Sequence, residues 1–327
     1  MNARKFFKKY LFFSIYIIEL FEFSHSYYKF VRYSGVFIYP IKQNKLLARI
    51  IEAYHSIERS MALPNVRLGF AKEHILHLID MNMLYYKKFG LNSTQIIHSL
   101  EVVNEYKKLH DNNNYKLNEV ILSKIAELNA LTGVTSSSSQ IKTTTKEYLK
   151  FTDSTFNNFA ESRKSVRNYK DEQIDNKILS KAFRLAQSAP SACNRQGARI
   201  HLIEDESKIE KVLNVHVGTG GFKSVIKKLI VLTEDIEVSN GVFEKNQIYT
   251  DGGIFLMNLL YALHYYKIGA CPLNNSFSIL QDKKIRKILD IKNSECFIAF
   301  ISIGIPANDL IVANSKKRDL KEILTLH

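Results

Sequence analysis

Arg163-Lys164-Ser165-Val166-Arg167 sets three cations around one hydroxyl, a combination that neutralises and hydrogen-bonds a phosphate. One helix-length later the chain reads Ala189-Pro190-Ser191-Ala192-Cys193-Asn194-Arg195-Gln196. A Pro-Ser turn followed by the amides of Asn194 and Gln196 holds donors and acceptors at fixed positions, which suits the edge of a flat polar ring. Together the two segments call for a phosphorylated cofactor with a heteroaromatic head. Taken singly, each has a plainer reading: Arg163 to Ser165 as a solvated helix entrance, and Pro190 to Gln196 as an ordinary loop before a strand.

Other chemistries find less support. Gly218-Thr219-Gly220-Gly221 is no dinucleotide fingerprint, because the third glycine of that motif would fall at Lys223 and no strand leads into it; a mobile loop is expected. No P-loop occurs. His55-x-x-Glu58 and Glu73-His74-x-x-His77 put potential ligands on one face of a helix, but the order differs from that of carboxylate-bridged bundles and carboxylates are too few, so no metal site is expected. Cys193, Cys271 and Cys296 have neither a metal-ligand spacing nor an even count. No Ser-His-Asp, Cys-His or paired-carboxylate set stands out, and no side chain is assigned as catalytic acid or base.

The elements that must position these residues fall into two parts. Apolar residues recur at helical spacing through Leu47, Ile50, Tyr54, Ile57 and Met61, then Ile75, Leu78, Ile79 and Met83. Two further runs follow, Ile96, Leu100, Val103 and Tyr106, and Leu117, Ile121, Ile125 and Leu128. Residues 1–130 therefore read as a small all-helical region. Residues 131–147, with four serines and three threonines in short runs, have a linker composition. Residues 148–327 mix periods: Ile178 to Ala186 is helical, whereas Ala198 to Ile203, Lys228 to Thr233 and Cys296 to Ile303 are β-rich. The fold class is α+β. Ile254 to Leu263 is apolar on nearly every face, which predicts a helix buried all round, in part by a second subunit.

The two cofactor-type segments resemble the signature of the FMN-dependent nitroreductase family, and the likeness continues downstream. Tyr249-Thr250-Asp251-Gly252-Gly253 opens a helix like the family's central one, and Ile268 to Asn274 looks like the loop that lies against the isoalloxazine. Ile303-Gly304-Ile305-Pro306 and Lys316 to Leu320 look like the last strand and the basic tail. The resemblance implies a central mixed or antiparallel sheet flanked by helices over about 150–327. It implies FMN held by Arg163, Lys164, Ser165 and Arg167 at the phosphate and ribityl chain, and by Pro190, Ser191, Asn194 and Gln196 at the polar edge of the ring. Cys271, Pro272 and Leu273 would lie along the flavin, with Cys271 as packing, and Lys317 and Arg318 would complete the phosphate site. It further implies a homodimer that accepts hydride from NADH or NADPH and reduces a small-molecule electron acceptor. One departure is visible: many members carry a proline and a bulky aromatic soon after this glutamine, where this chain has Gly197-Ala198. His55 to Leu78 also resembles the leader of longer nitroreductase-like proteins found among surface-polysaccharide genes, which hints at a biosynthetic setting.

Composition sets the remaining bounds. The chain has 327 residues, 46% of them hydrophobic, and a net charge of +14. Residues 1–150 carry 21 Lys/Arg against 12 Asp/Glu, but the basic residues come in short pairs without a nucleic-acid motif, so no nucleic acid is expected. Leu11 to Ile18 is too short to span a bilayer, which takes roughly 20 residues; an amphipathic helix with a packed aromatic face is expected, in a cytoplasmic protein. The alternative function is a nitroreductase-fold scaffold whose basic helical half binds a partner.

Overall fold

The computed structural model describes residues 3–33, 41–216, 218–239 and 244–327; in the first helix it describes side chains from Tyr16 onward. The chain divides into two compact units, one of residues 1–58, 68–139 and 315–327 and the other of residues 59–67 and 140–314.

The first unit is helical: α1 (Ala3–Tyr33), α2 (Gln43–Met61, whose end belongs to the second unit), α3 (Lys72–Phe89), α4 (Thr94–Asn112) and α5 (Glu119–Thr132). The apolar positions expected from periodicity, from Leu47 through Leu128, are all buried. Side-chain caps fix the starts, with Ser93 accepting from Gln95 N and Asn118 from Val120 N, and glycines at 90 and 133 close α3 and α5 with positive φ. Among the described side chains of α1, Tyr16, Phe21, Tyr27 and Phe30 are exposed, while most of the Leu11–Ile18 run, on which a packed aromatic face is expected, lies outside the described side chains. Lys8, Lys9 and the start of the apolar run at Leu11 have side chains outside the described residues.

The second unit is built on a four-stranded antiparallel sheet of β2 (Ala198–Ile203), β3 (Lys228–Asp235), β4 (Gly269–Leu273) and β5 (Glu295–Gly304), in the order β2-β3-β5-β4. A second sheet pairs β1 (Gln140–Thr144) with β6 (Asp309–Ala313) antiparallel. The stretch expected as a Ser/Thr-rich linker thus contains a strand, because β-branched Ile141, Thr143 and Thr144 find a distant partner. The helices are α6 (Thr145–Tyr148), α7 (Phe156–Ser162), α8 (Asn176–Ala186), α9 (Glu206–Val215), α10 (Gln247–Tyr265) and α11 (Ile279–Leu289). β3 is buried at every position. Its Leu229 and Val231 pack with Ile209, Val212 and Ile285 of α9 and α11. Ile230 and Leu232 pack with Leu179, Ala182, Leu259 and Leu263 of α8 and α10 on the opposite face. The result is a helix-covered antiparallel sheet after a helical region, the α+β arrangement expected.

Within this chain α10 is not buried all round. Leu259, Leu260, Ala262 and Leu263 face the sheet, while Tyr249, Ile254, Met257 and Tyr265 are exposed. Asn258, the polar break in its apolar run, donates to Ala186 O at 2.9 Å and so caps the end of α8.

Candidate functional site

The Arg163–Arg167 segment is fastened to the sheet edge by its own backbone. It leaves α7 at Arg163 in an extended conformation, so it stands at a helix exit and is not the helix entrance of the plainer reading. Val166 N donates to Ala270 O of β4 at 3.1 Å, and Lys170 N to Ile305 O at 2.9 Å. Tyr169, buried beside Gly304, donates its hydroxyl to Val166 O at 2.7 Å and meets Ser302 Oγ at 2.9 Å. Tyr148 adds a hydroxyl bond to Lys164 O at 3.1 Å. Backbone so restrained presents its side chains at set positions.

The charge of its arginines is not balanced by described carboxylates. Arg167 is buried, and its Nε has no hydrogen-bond partner. Among the described residues no carboxylate pairs with Arg167, with Arg163 or with Arg59. Arg59, half-buried at the end of α2, donates Nη1 to Gly218 O at 3.0 Å. Burial lowers its pKa and the charge of Arg167 lowers it further. Arg163 acts on His264, which burial first and this cation second hold down at about 4; that ring stays neutral and meets Ser162 Oγ at 2.8 Å. The Cys271 thiol is pushed up by burial, with Arg167, Arg59, a hydrogen bond to Ser165 and Arg163 opposing. A fully buried thiol of raised pKa is a packing group, and what distinguishes its surroundings is the group of cations. Buried guanidinium groups without a counter-ion are costly, and a bound phosphate would satisfy them.

The Pro190–Gln196 loop is self-supporting. Ser191 Oγ accepts from Gln196 N at 3.0 Å, Gln196 Nε2 donates to Asn194 O and Oδ1 at 3.2 Å, and Asp251 of α10 accepts from Ala192 N at 3.0 Å. Arg195 is clamped by both oxygens of Glu244 at 2.9 and 3.1 Å. Cys193, Asn194 and Gln196 all have φ near +50°, at 51°, 56° and 53°. Such left-handed conformations at non-glycine residues cost about 1–3 kcal/mol each and gather at ligand sites. Pro190, Ser191 and Gln196 line a cavity of about 500 Å³ that includes neither the Arg163–Arg167 segment nor Cys271 to Leu273.

Cys271, Pro272 and Leu273, expected in a loop, form the edge strand β4. Proline is admitted there because an edge strand has no ladder to feed on its outer side. Lys317 and Arg318 belong to the helical unit, where Arg318 lies 3.7 Å from Glu322, itself held by Ser93 and Thr94. The Gly218–Gly221 loop, expected to be mobile, is fastened by Arg59 and by His216 Nδ1, which accepts from Gly218 N at 3.0 Å. In the helical unit Glu58 meets His98 Nε2 at 2.9 Å and accepts from Ser315 N at 3.1 Å, while His74 and His77 are exposed. Among the described residues no three His, Cys, Asp or Glu side chains are placed to hold a metal ion. Nor is any helix there long and apolar enough to cross a membrane. Sequence reasoning missed Arg59, which carries no local signal and joins the cluster only through the fold.

Comparison with known proteins bears on this geometry. Residues 160–220, which hold Arg163 to Arg167 and Pro190 to Gln196, match the family model described as Nitroreductase family. No curated protein matches the chain. Solved structures similar to it include a candidate NADH oxidase from Clostridium acetobutylicum, 26% identical over 51% of this chain and 97% of that one, TM-score 0.44. A candidate nitroreductase in complex with FMN from Desulfovibrio desulfuricans is 24% identical over 52% and 94%, TM-score 0.45. An FMN-dependent nitroreductase from Clostridium difficile is 24% identical over 45% and 86%, TM-score 0.40.

Proposed function

We propose that this chain is an FMN-dependent oxidoreductase of nitroreductase type that takes hydride from NADH or NADPH and reduces a small-molecule acceptor. The observation that carries it is the cluster of Arg59, Arg163 and Arg167 around Cys271, cations that no described carboxylate pairs, two of which, Arg163 and Arg167, lie in the segment that matches the nitroreductase model. The donor set fits a flavin phosphate: planar guanidinium forks, Lys164 and the Ser165 hydroxyl for phosphate and ribityl oxygens. Bound FMN supplies the hydride-accepting ring, and the chain's residues hold and orient it. Ser191, Asn194 and Gln196 form a rigid polar turn that suits the ring edge, with Pro190 setting its start; β4, with Pro272 and Leu273 beside Cys271, supports the Arg163–Arg167 backbone through Ala270. The exposed apolar face of α10 supports a homodimer. The chain's setting is proposed to be cytoplasmic and biosynthetic, in surface-polysaccharide assembly.

The test is the visible spectrum of the purified protein and identification of the chromophore released on denaturation. Flavin bands and about one FMN per chain are expected. Arg163→Ala with Lys164→Ala should release flavin and leave the fold intact; unchanged flavin content in that variant would sink the assignment. Lys317→Ala with Arg318→Ala, read the same way, tests the share proposed for the tail.

A further inference from the structure

The wall of the cavity beside the Pro190–Gln196 loop includes an acid that no described residue satisfies. Its volume is about 500 Å³; Phe183 and Phe255 supply apolar wall, and Ser180, Ala198, Glu234 and Asp251 also line it. Most charged groups around it are spoken for. Asp251 accepts from Ala192 N and, at 2.7 Å, from Gln247 Nε2. Asp235 pairs with Arg199 at 3.6 Å, and Arg199 also donates to Gln196 O and Ala198 O at 3.0 Å. Among the described residues Glu234 has no such partner. The residue is 1% exposed and its Oε2 is buried without a hydrogen bond. A buried polar atom left unpaired costs about 1–3 kcal/mol, which a ligand can recover.

The sequence explains why the acid and the space coexist. A Cβ at Gly197 would come within 2.2 Å of Glu234 Oε1, and Ala198 leaves the adjoining wall open. This is the point at which the chain departs from the proline and bulky aromatic of its resemblance. Where that bulk is missing, the chain has a hollow with a buried carboxyl in its wall.

We propose that this cavity binds a small molecule presenting a cationic N–H group, an amidinium or ammonium on a flat apolar body, to Glu234. The carboxyl offers two acceptor oxygens, and phenylalanine faces suit a flat body and stabilise a cation. An anionic ligand would meet Glu234 and Asp251 and is disfavoured; Arg199 is already engaged, and only Arg184 at the exposed rim offers an ion-free cation among the described residues that line the cavity. Burial pushes the Glu234 carboxyl up to about 7, Asp251 and Asp235 push the same way, and Arg199 opposes. A cation binds the ionised form, so affinity rises with pH through neutrality and levels off above it.

The probe is benzamidine, titrated into the purified full-length chain by calorimetry at pH 6 and pH 8, with flavin content recorded on each sample. Saturable binding is expected, roughly tenfold tighter at pH 8, since one pH unit either side of the pKa changes the ionised fraction about tenfold. Glu234→Gln should weaken it at least tenfold and remove the pH dependence, and Ala198→Phe, which fills the hollow and keeps the acid, should abolish it. Absence of saturable binding, equal binding of neutral benzamide, or wild-type affinity in either variant overturns the proposal. A colourless protein that binds benzamidine in this way keeps this inference and rejects the flavin reading; a flavin-loaded protein that does not bind it does the reverse.

Discussion

Arg167 and Arg59 show how a residue's function depends on what is missing around it. Arg167 is buried with an unpaired Nε, and it depresses the pKa of Arg59, so the two repel in a place where neither is hydrated fully. A charge-assisted hydrogen bond contributes about 1.5–3 kcal/mol, so Arg167→Ala should weaken FMN retention by roughly tenfold to a hundredfold, read as flavin released on dialysis. With the ligand removed, the same substitution should leave the apoprotein as stable or more so, because a buried repulsion is relieved. Glu234 titrates on its own axis. Its folded pKa, about 7, lies above that of an unfolded glutamate. Ionising it is therefore harder in the fold, and stability falls as pH rises from about 4.5 to 7 and is flat above. Glu234→Gln should abolish that slope and be up to about 3 kcal/mol more stable than wild type at pH 8 in urea unfolding. Arg163 to Arg167 and Pro190 to Gln196 were legible as site candidates because their chemistry is contiguous. Arg59 and Glu234 were not, since one lies more than 100 residues away in sequence and the other gains meaning only from burial and from a glycine opposite it.

Elements bring these side chains into register, and Tyr169 is the joint. Its ring fills the space that a Cβ at Gly304 would need, 2.5 Å from Tyr169 Cγ, while its hydroxyl serves Val166 O and Ser302. Tyr169→Phe keeps the ring and strips these bonds, leaving Val166 O and Ser302 Oγ short of a partner in a buried place. A loss of about 1–3 kcal/mol is expected, together with reduced flavin content, because Val166 sits between Ser165 and Arg167. Gly304→Ala should cost more, since the ring cannot retreat within a packed core. Helices with strong periodicity were readable directly: the apolar positions from Leu47 through Leu128 fall at helical spacing, and all of them are buried. Strands were readable where β-branched residues run together, as in Lys228–Asp235. β1 and β4 were missed for physical reasons. β1 pairs with β6, across most of the second unit in sequence, and its composition alone is that of a linker. β4 carries Gly269 and Pro272, residues that local propensity assigns to loops and that an edge position tolerates.

For the molecule as a whole, the informative surface is that of α10. Tyr249, Ile254, Met257 and Tyr265 are exposed on a helix whose other side is buried against the sheet. Exposed apolar side chains are ordinary when scattered, but here they share one helix with a packed inner face, and the proposed homodimer would use them. The chain's net charge of +14 opposes self-association at long range, so a dimer must be held by short-range apolar contact and should tighten as salt screens the repulsion. Wild-type protein is expected to sediment as a dimer, more completely at 0.5 M than at 0.05 M salt. Met257→Glu places a charge in the middle of that face. Desolvating an unpaired carboxylate costs several kcal/mol, enough to weaken a dimer by roughly a hundredfold or more, and the variant should sediment as a monomer at micromolar concentration. Because Met257 is already exposed in the single chain, the fold itself should be unaffected, and circular dichroism should match wild type. A wild type that stays monomeric at high salt, or a Met257→Glu chain that remains dimeric, would remove α10 as the contact. If the variant loses flavin together with its partner, FMN retention depends on the dimer as well as on the cations of one chain.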